Sequence, residues 1–173
     1  MGIIGTRIRA ALFGAALSFS GIGPAMATGM SIERISPALA HPWGIDFLDH
    51  DTVLVTLRGG GLMRIELDDG KTTEITGTPD VYDHRQGGLL DVAVADGQIY
   101  LCYSAILDTR SSTAIDRAVL VDNALIRRQT IFIGNNPTRS GHHFGCRLQV
   151  TDEMIYAGLG DRGTRDIAQN PAA

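Results

Sequence analysis

The run WGIDFLDHDTVLVTLRGGGLMRIELDDGKTTEI, residues 43–75, breaks into four short segments of the same kind. Trp43–Leu48, Thr52–Leu57, Leu62–Leu67 and Lys71–Ile75 are apolar or alternate apolar with polar residues. Asp49-His50-Asp51, Arg58–Gly61 and Asp68-Asp69-Gly70 separate them. A two-residue period interrupted about every ten residues by Asp and Gly is the pattern of antiparallel strands joined by tight turns. A second set follows, with strands predicted over Leu89–Val94, Gln98–Ser104, Thr113–Val121 and Leu125–Ile133 and turns at Asp96-Gly97 and Asp122-Asn123. A third begins at Cys146–Val150, turns at Thr151-Asp152-Glu153, continues through Met154–Leu159 and runs into Gly160-Asp161-Arg162-Gly163. Helix signals are nearly absent, so the fold class is all-β.

The equivalent starts Trp43, Leu89 and Arg147 are separated by 46 and 58 residues, the period of four-stranded blades with outer loops of variable length. The reading is a β-propeller of which the chain holds about two and a half blades. Blades bury their faces on their neighbours, so two and a half cannot close a ring. Gln169–Ala173 offers no closing strand, and the expectation is that residues 28–173 form an incomplete propeller domain, interrupted by gene truncation or partial sequence. The competing reading is a smaller complete fold such as a sandwich.

Composition narrows the functional classes. Of 173 residues, 44% are hydrophobic, which suffices for a core, and the net charge is -4. Lys and Arg are scattered after Arg9, which argues against nucleic acid, whose phosphates require concentrated positive charge. Residues 1–27 read as a signal peptide: Arg7 and Arg9, the apolar run Ala10–Phe19, then Ala25-Met26-Ala27 as a cleavage site. The apolar run is short and broken by Gly21, Gly23 and Pro24, so cleavage after Ala27 and an exported, periplasmic or secreted chain are expected rather than an uncleaved anchor or a membrane span. Cys102 and Cys146 then lie where disulfides can form. Both fall in or beside predicted strands, and two buried free thiols are favoured over a bridge.

Chemistry concentrates in the lead-ins to the innermost strands, because in a propeller these loops surround the central pocket. Asp83-His84-Arg85-Gln86-Gly87-Gly88 precedes the second blade and Gly141-His142-His143-Phe144-Gly145 the third, while Gly160–Gly163 returns to the same face. Histidine exchanges protons near neutral pH, which makes the adjacent pair candidate acid–base groups. Neighbouring residues on a strand point to opposite faces, so His142 and His143 are not expected to share a metal ion, and one should face the pocket and the other its flank. The glycine-rich segments lead into strands rather than helices, which removes a phosphate-binding loop.

Four ordered motifs, His41-Pro42-Trp43-Gly44-Ile45, Gln86–Asp91, His143–Leu148 and Leu159–Gly163, resemble the first part of the soluble aldose dehydrogenases that depend on pyrroloquinoline quinone (PQQ), the glucose/sorbosone dehydrogenase family. The resemblance implies a six-bladed propeller, PQQ over the central channel with a calcium ion, and oxidation of an aldose at its anomeric carbon to a lactone, with electrons passed to a downstream acceptor. It implies that His143 is the general base and that Gln86 contacts the sugar and cofactor region. His142 stands where some relatives carry Asp to hold substrate, and with Arg162 it is a candidate binding residue. Asp161 could orient the pocket or form a turn salt bridge. Cys146 stands where the family commonly has Gly and receives no role. Arg147 is expected to tie blades together. The calcium ligands and the main anchors of the quinone are expected in later blades, outside this chain, which is then inactive alone. Two rivals are a metal-dependent propeller lactonase, for which no converging carboxylates are evident, and a non-catalytic binding module.

Overall fold

Ten strands and one short 3-10 turn make up residues 31–168, which the computed structural model describes. The predicted signal peptide lies outside the described residues. β1 (Pro42–Phe47), β2 (Thr52–Leu57), β3 (Leu62–Glu66) and β4 (Thr72–Ile75) form one antiparallel sheet in chain order. β5 (Leu89–Ala95), β6 (Gln98–Leu107), β7 (Arg110–Val121) and β8 (Ala124–Ile133) form a second. β9 (Gly145–Val150) pairs with β10 (Ile155–Leu159), and Arg165–Ile167 is the 3-10 turn. The turns act where their residue types permit: Asp96 and Gly97 both take positive φ, 49° and 71°, as a two-residue hairpin of matching twist requires.

Period-two alternation gives each sheet two apolar faces, and the sheets stack through them. Leu54, Leu62 and Ile75 of the first sheet pack with Leu89, Val92, Ile99 and Leu101 of the second. Leu90, Ala93, Cys102 and Ile115 on the opposite face of the second sheet pack with Phe144, Cys146 and Leu148 beside and in β9. A bulge between Leu89 and Asp91 lets β5 serve both sides, since Leu89 and Val92, three apart, share one face. The first strand of the second sheet, β5, lies between the first strands of the other two, β1 on one side and β9 on the other, as successive inner strands around a propeller axis do. The architecture is therefore two blades and the first two strands of a third. Val53, Val55 and Ile65 form a separate cluster on the far face of the first blade, where Trp43, Ile45 and Phe47 are exposed.

Two carboxylates couple the blades. Asp46 in β1 accepts a hydrogen bond from the backbone N–H of Val94 in β5 at 2.8 Å. Asp91 in β5 accepts from the N–H of Leu148 in β9 at 2.7 Å and from Arg147 at 3.3 Å, so Arg147 does bridge blades. Asp91 is 2% exposed, and burial pushes its carboxyl above the ordinary 3.8 against the pull of the Leu148 N–H and Arg147.

Two expectations are corrected. The strands expected over Gln98–Ser104 and Thr113–Val121 are longer: β6 and β7 extend into a hairpin closed at Leu107 and Arg110, because Ala105 and Ser111–Thr113 are buried and continue the pairing. The two cysteines are not free thiols. Cys102 and Cys146 form a disulfide with a Cα–Cα distance of 5.6 Å, since the packing of the second blade on β9 brings their positions together.

Candidate active site

The three chemically loaded segments converge. The lead-in to β5 reaches the lead-in to β9 through the Gln86 N–H, which donates to the Gly141 carbonyl at 3.1 Å. The Gln86 side-chain oxygen accepts from the His143 N–H at 2.8 Å. The loop after β10 closes on the other side: Arg162 N–H donates to the His143 carbonyl at 3.1 Å, Gly160 N–H to the Phe144 carbonyl at 3.2 Å, and Ser140 Oγ to the Arg162 carbonyl at 2.6 Å. Gly160 is required by this closeness, because a Cβ there would stand 2.0 Å from the His143 carbonyl oxygen. Behind the site the buried Thr113 hydroxyl donates to the Phe144 carbonyl at 2.8 Å, anchoring the lead-in to the second blade.

His143 Nδ1 lies 2.6 Å from Asp161 Oδ1, and the same oxygen accepts from the Gly163 N–H at 2.8 Å. The Gly163 N–H and then His143 hold the Asp161 carboxyl below its ordinary 3.8, so at neutral pH it is a carboxylate and can only accept. The proton between the two groups therefore belongs to His143 Nδ1, and Nε2 is left as the basic atom of the neutral ring. The imidazole is 55% exposed and its partner carboxylate 19%, so the ring is held from behind and open in front.

His142 has a different assignment. Its Nε2 accepts from Arg85 Nη1 at 2.8 Å, because a guanidinium has no acceptor to offer, and its own proton sits on Nδ1. The two rings meet edge-on at 6.2 Å. Their divergence does not come from strand alternation: both residues precede β9, and His143 has a left-handed backbone with φ 55°. Arg85, Cys146 and Arg162 share that unusual region at 55°, 84° and 48°, a clustering of strained backbone characteristic of functional sites. Arg162 is 8% exposed. Its Nη1 donates to the Gly160 carbonyl, which ties the side chain into its own loop, and its buried Nε has no partner among the described residues.

An open depression of about 450 Å³ runs along the inner strands beside this site, with Trp43, Asp91, Arg147 and Gly160 among its walls. Facing a flat, polyanionic quinone, two groups are suitable donors in kind, the Gln86 amide nitrogen and the Arg85 guanidinium, while His143 Nε2 is an acceptor that can take a proton. For calcium the fit fails here, since among the described residues no three His, Cys, Asp or Glu side chains gather. Sequence reasoning passed over Asp46, Asp91 and Arg85. Two Asp 45 residues apart on equivalent inner strands and an Arg next to Gln86 were the available signals.

The comparisons with known proteins agree in direction. The family model described as glucose/sorbosone dehydrogenase matches residues 39–173. The aldose sugar dehydrogenase YliI of Escherichia coli K12 is 34% identical over 151 residues, which is 82% of this chain and 41% of the relative. A crystal structure of a glucose dehydrogenase superposes with TM-score 0.76 at 29% identity, covering 81% of this chain and 44% of that one. The PQQ-bound aldose sugar dehydrogenase of Streptomyces coelicolor superposes with TM-score 0.71 at 24% identity over 80% of this chain and 43% of its own, a likeness of fold. The chain thus spans about two fifths of the E. coli relative. With most of its length matched by one family model and its described strands arranged as propeller blades, the chain belongs to the glucose/sorbosone dehydrogenase family.

Proposed function

We propose that this chain supplies the base-bearing wall of the pocket in a PQQ-dependent dehydrogenase that oxidises an aldose at its anomeric carbon to the lactone. The observation that carries the reading is the His143–Asp161 pair, an exposed imidazole whose Nδ1 is engaged by a carboxylate and whose Nε2 is free to take a proton. His143 Nε2 removes the proton of the anomeric hydroxyl, Asp161 stabilises the imidazolium that results, and the hydrogen on the anomeric carbon departs with its electron pair. The quinone, when bound, supplies the acceptor for that pair. Gln86 holds the His143 backbone through its side-chain oxygen, which leaves its amide nitrogen available to the sugar or the quinone. Arg85 and His142 form the adjoining polar edge. Arg162, tied into its own loop, shapes the wall from behind.

The reading includes calcium ligands and further quinone anchors contributed by sequence that the relatives possess and this chain does not span, so the 173 residues alone are inactive. It also places the mature chain outside the cytoplasm, with cleavage after Ala27. The buried Cys102–Cys146 disulfide supports an oxidising compartment.

The test is a hybrid in which residues 39–168 replace the matching part of the E. coli aldose sugar dehydrogenase, loaded with PQQ and calcium. It should reduce a dye on addition of aldose, and His143→Ala should lower kcat by about 10²–10⁴-fold with quinone binding retained. Full turnover by the His143→Ala hybrid would remove the base assignment.

A further inference from the structure

We propose that the Cys102–Cys146 disulfide is a positioning device for the His143–Asp161 pair, acting by pinning a one-residue bulge at the start of β9. Pairing between β9 and β10 runs in register from Ile155↔Val150 to Gly158↔Arg147 and then jumps to Leu159↔Gly145, so Cys146 is the residue without a partner. Gly145 and Cys146 both take positive φ, 76° and 84°, which is how the chain accommodates the extra residue. Glycine adopts this region freely, whereas for cysteine it is disfavoured.

The bulge determines what His143 meets. Beyond it, Gly160 N–H bonds the Phe144 carbonyl and Asp161 falls opposite His143. Were Cys146 paired with Leu159, Gly160 would stand opposite Gly145 and Asp161 opposite Phe144. A slip of one residue also turns alternate side chains to the other face. His143 would lose its carboxylate.

Cys146 needs a restraint that outweighs its backbone preference, and the structure contains one. Its sulfur is bonded to Cys102 in β6, a residue fully buried in the second blade, and Cys146 is itself 3% exposed. The link fixes the bulged residue to the neighbouring blade three residues from His143. That His143 and Asp161 are catalytic rests on the function proposed above. That the disulfide sets their geometry does not.

The experiment reads the ring tautomer of His143 by long-range proton–nitrogen NMR on the labelled 173-residue chain near neutral pH. The oxidised chain should show His143 as the Nδ1–H tautomer. The double variant Cys102→Ala/Cys146→Ala should shift it to predominantly Nε2–H, while Cys102→Ala/Cys146→Gly should restore Nδ1–H, because glycine keeps the bulge without the bond. Retention of Nδ1–H in a folded alanine variant, or its loss in a folded glycine variant, overturns the proposal. Where the alanine variant does not fold, Cys102→Ala alone takes its place with the same expectation and the same refutation. Asp161→Ala in the oxidised chain is the separate control. If it leaves the Nδ1–H signal unchanged, the His143–Asp161 pairing itself is wrong, an outcome distinct from failure of the disulfide's role.

Discussion

Replacing Asp91 with alanine should loosen the three inner strands together. One carboxylate oxygen accepts from the Leu148 N–H at 2.7 Å, the other from Arg147 at 3.3 Å, and the side chain packs so closely on β1 that a Cβ on Gly44 would lie 2.6 Å from it. Truncation leaves the Leu148 N–H without an acceptor, a loss of about 1–3 kcal/mol. The Arg147 side chain is 77% exposed, so its ion pair adds only a few tenths of a kcal/mol after screening, roughly. Removing a buried charge returns part of this, and the net is a destabilisation of about 2 kcal/mol. With a urea m-value of about 1–3 kcal/mol/M, the midpoint should fall by roughly 1 M. Trp43, the chain's one tryptophan, adjoins Gly44 and reports the transition by fluorescence. Asp91→Asn separates acceptor from charge, since an amide oxygen can still receive the Leu148 N–H, and should lose about half as much. pH supplies a second axis. Because burial raises the Asp91 carboxyl, the folded chain holds that proton more tightly than the unfolded chain. The resulting stability is complete below pH 3.8 and is lost as the pH rises through the folded value. Asparagine does not titrate, so the advantage of wild type over Asp91→Asn should shrink from acid toward neutral pH. An alanine variant within 0.5 kcal/mol of wild type at neutral pH, on the order of an ordinary surface change, would refute the coupling.

Asp161→Asn should behave in the opposite sense: a carboxyl held below 3.8 contributes stability above pH 3.8 that disappears as pH falls through its folded value, so denaturation midpoints of variant and wild type should converge in acid. Leu54, fully buried between the first two blades, should cost about 2–5 kcal/mol on truncation to alanine, measured by urea denaturation. Reducing the Cys102–Cys146 bond, which closes 44 residues of sequence, should lower stability by about 4 kcal/mol on the chain-entropy account, seen by comparing denaturation with and without reductant.

The blades were legible in the sequence because each strand carries its own instruction in the alternation of residues such as Val53, Leu54 and Val55, and each turn in residues such as Asp96-Gly97. The full length of the β6–β7 hairpin was not, because polar Ser111 and Ser112 carry no apolar alternation, yet lie buried with their hydroxyls satisfied by the carbonyls of Thr138 and Gly134. That the segments bearing His143 and Gln86 would meet was legible through their place before inner strands. The disulfide was not, because it depends on how the second blade stacks on β9, and pairing across 44 residues leaves no local trace. Arg162 looked like a pocket residue by position. Only packing shows that its guanidinium is buried against its own loop.

The Asp46–Val94 and Asp91–Leu148 bonds run the same way along the chain: the earlier blade offers the acceptor and the later one the donor. Such couplings have a polarity. A blade that has just formed already displays the carboxylate that receives its successor, and the successor's inner strand docks by presenting one amide to it. The described blades are thereby suited to assembly in chain order, the order in which synthesis delivers them, with the second secured to the first before the third arrives.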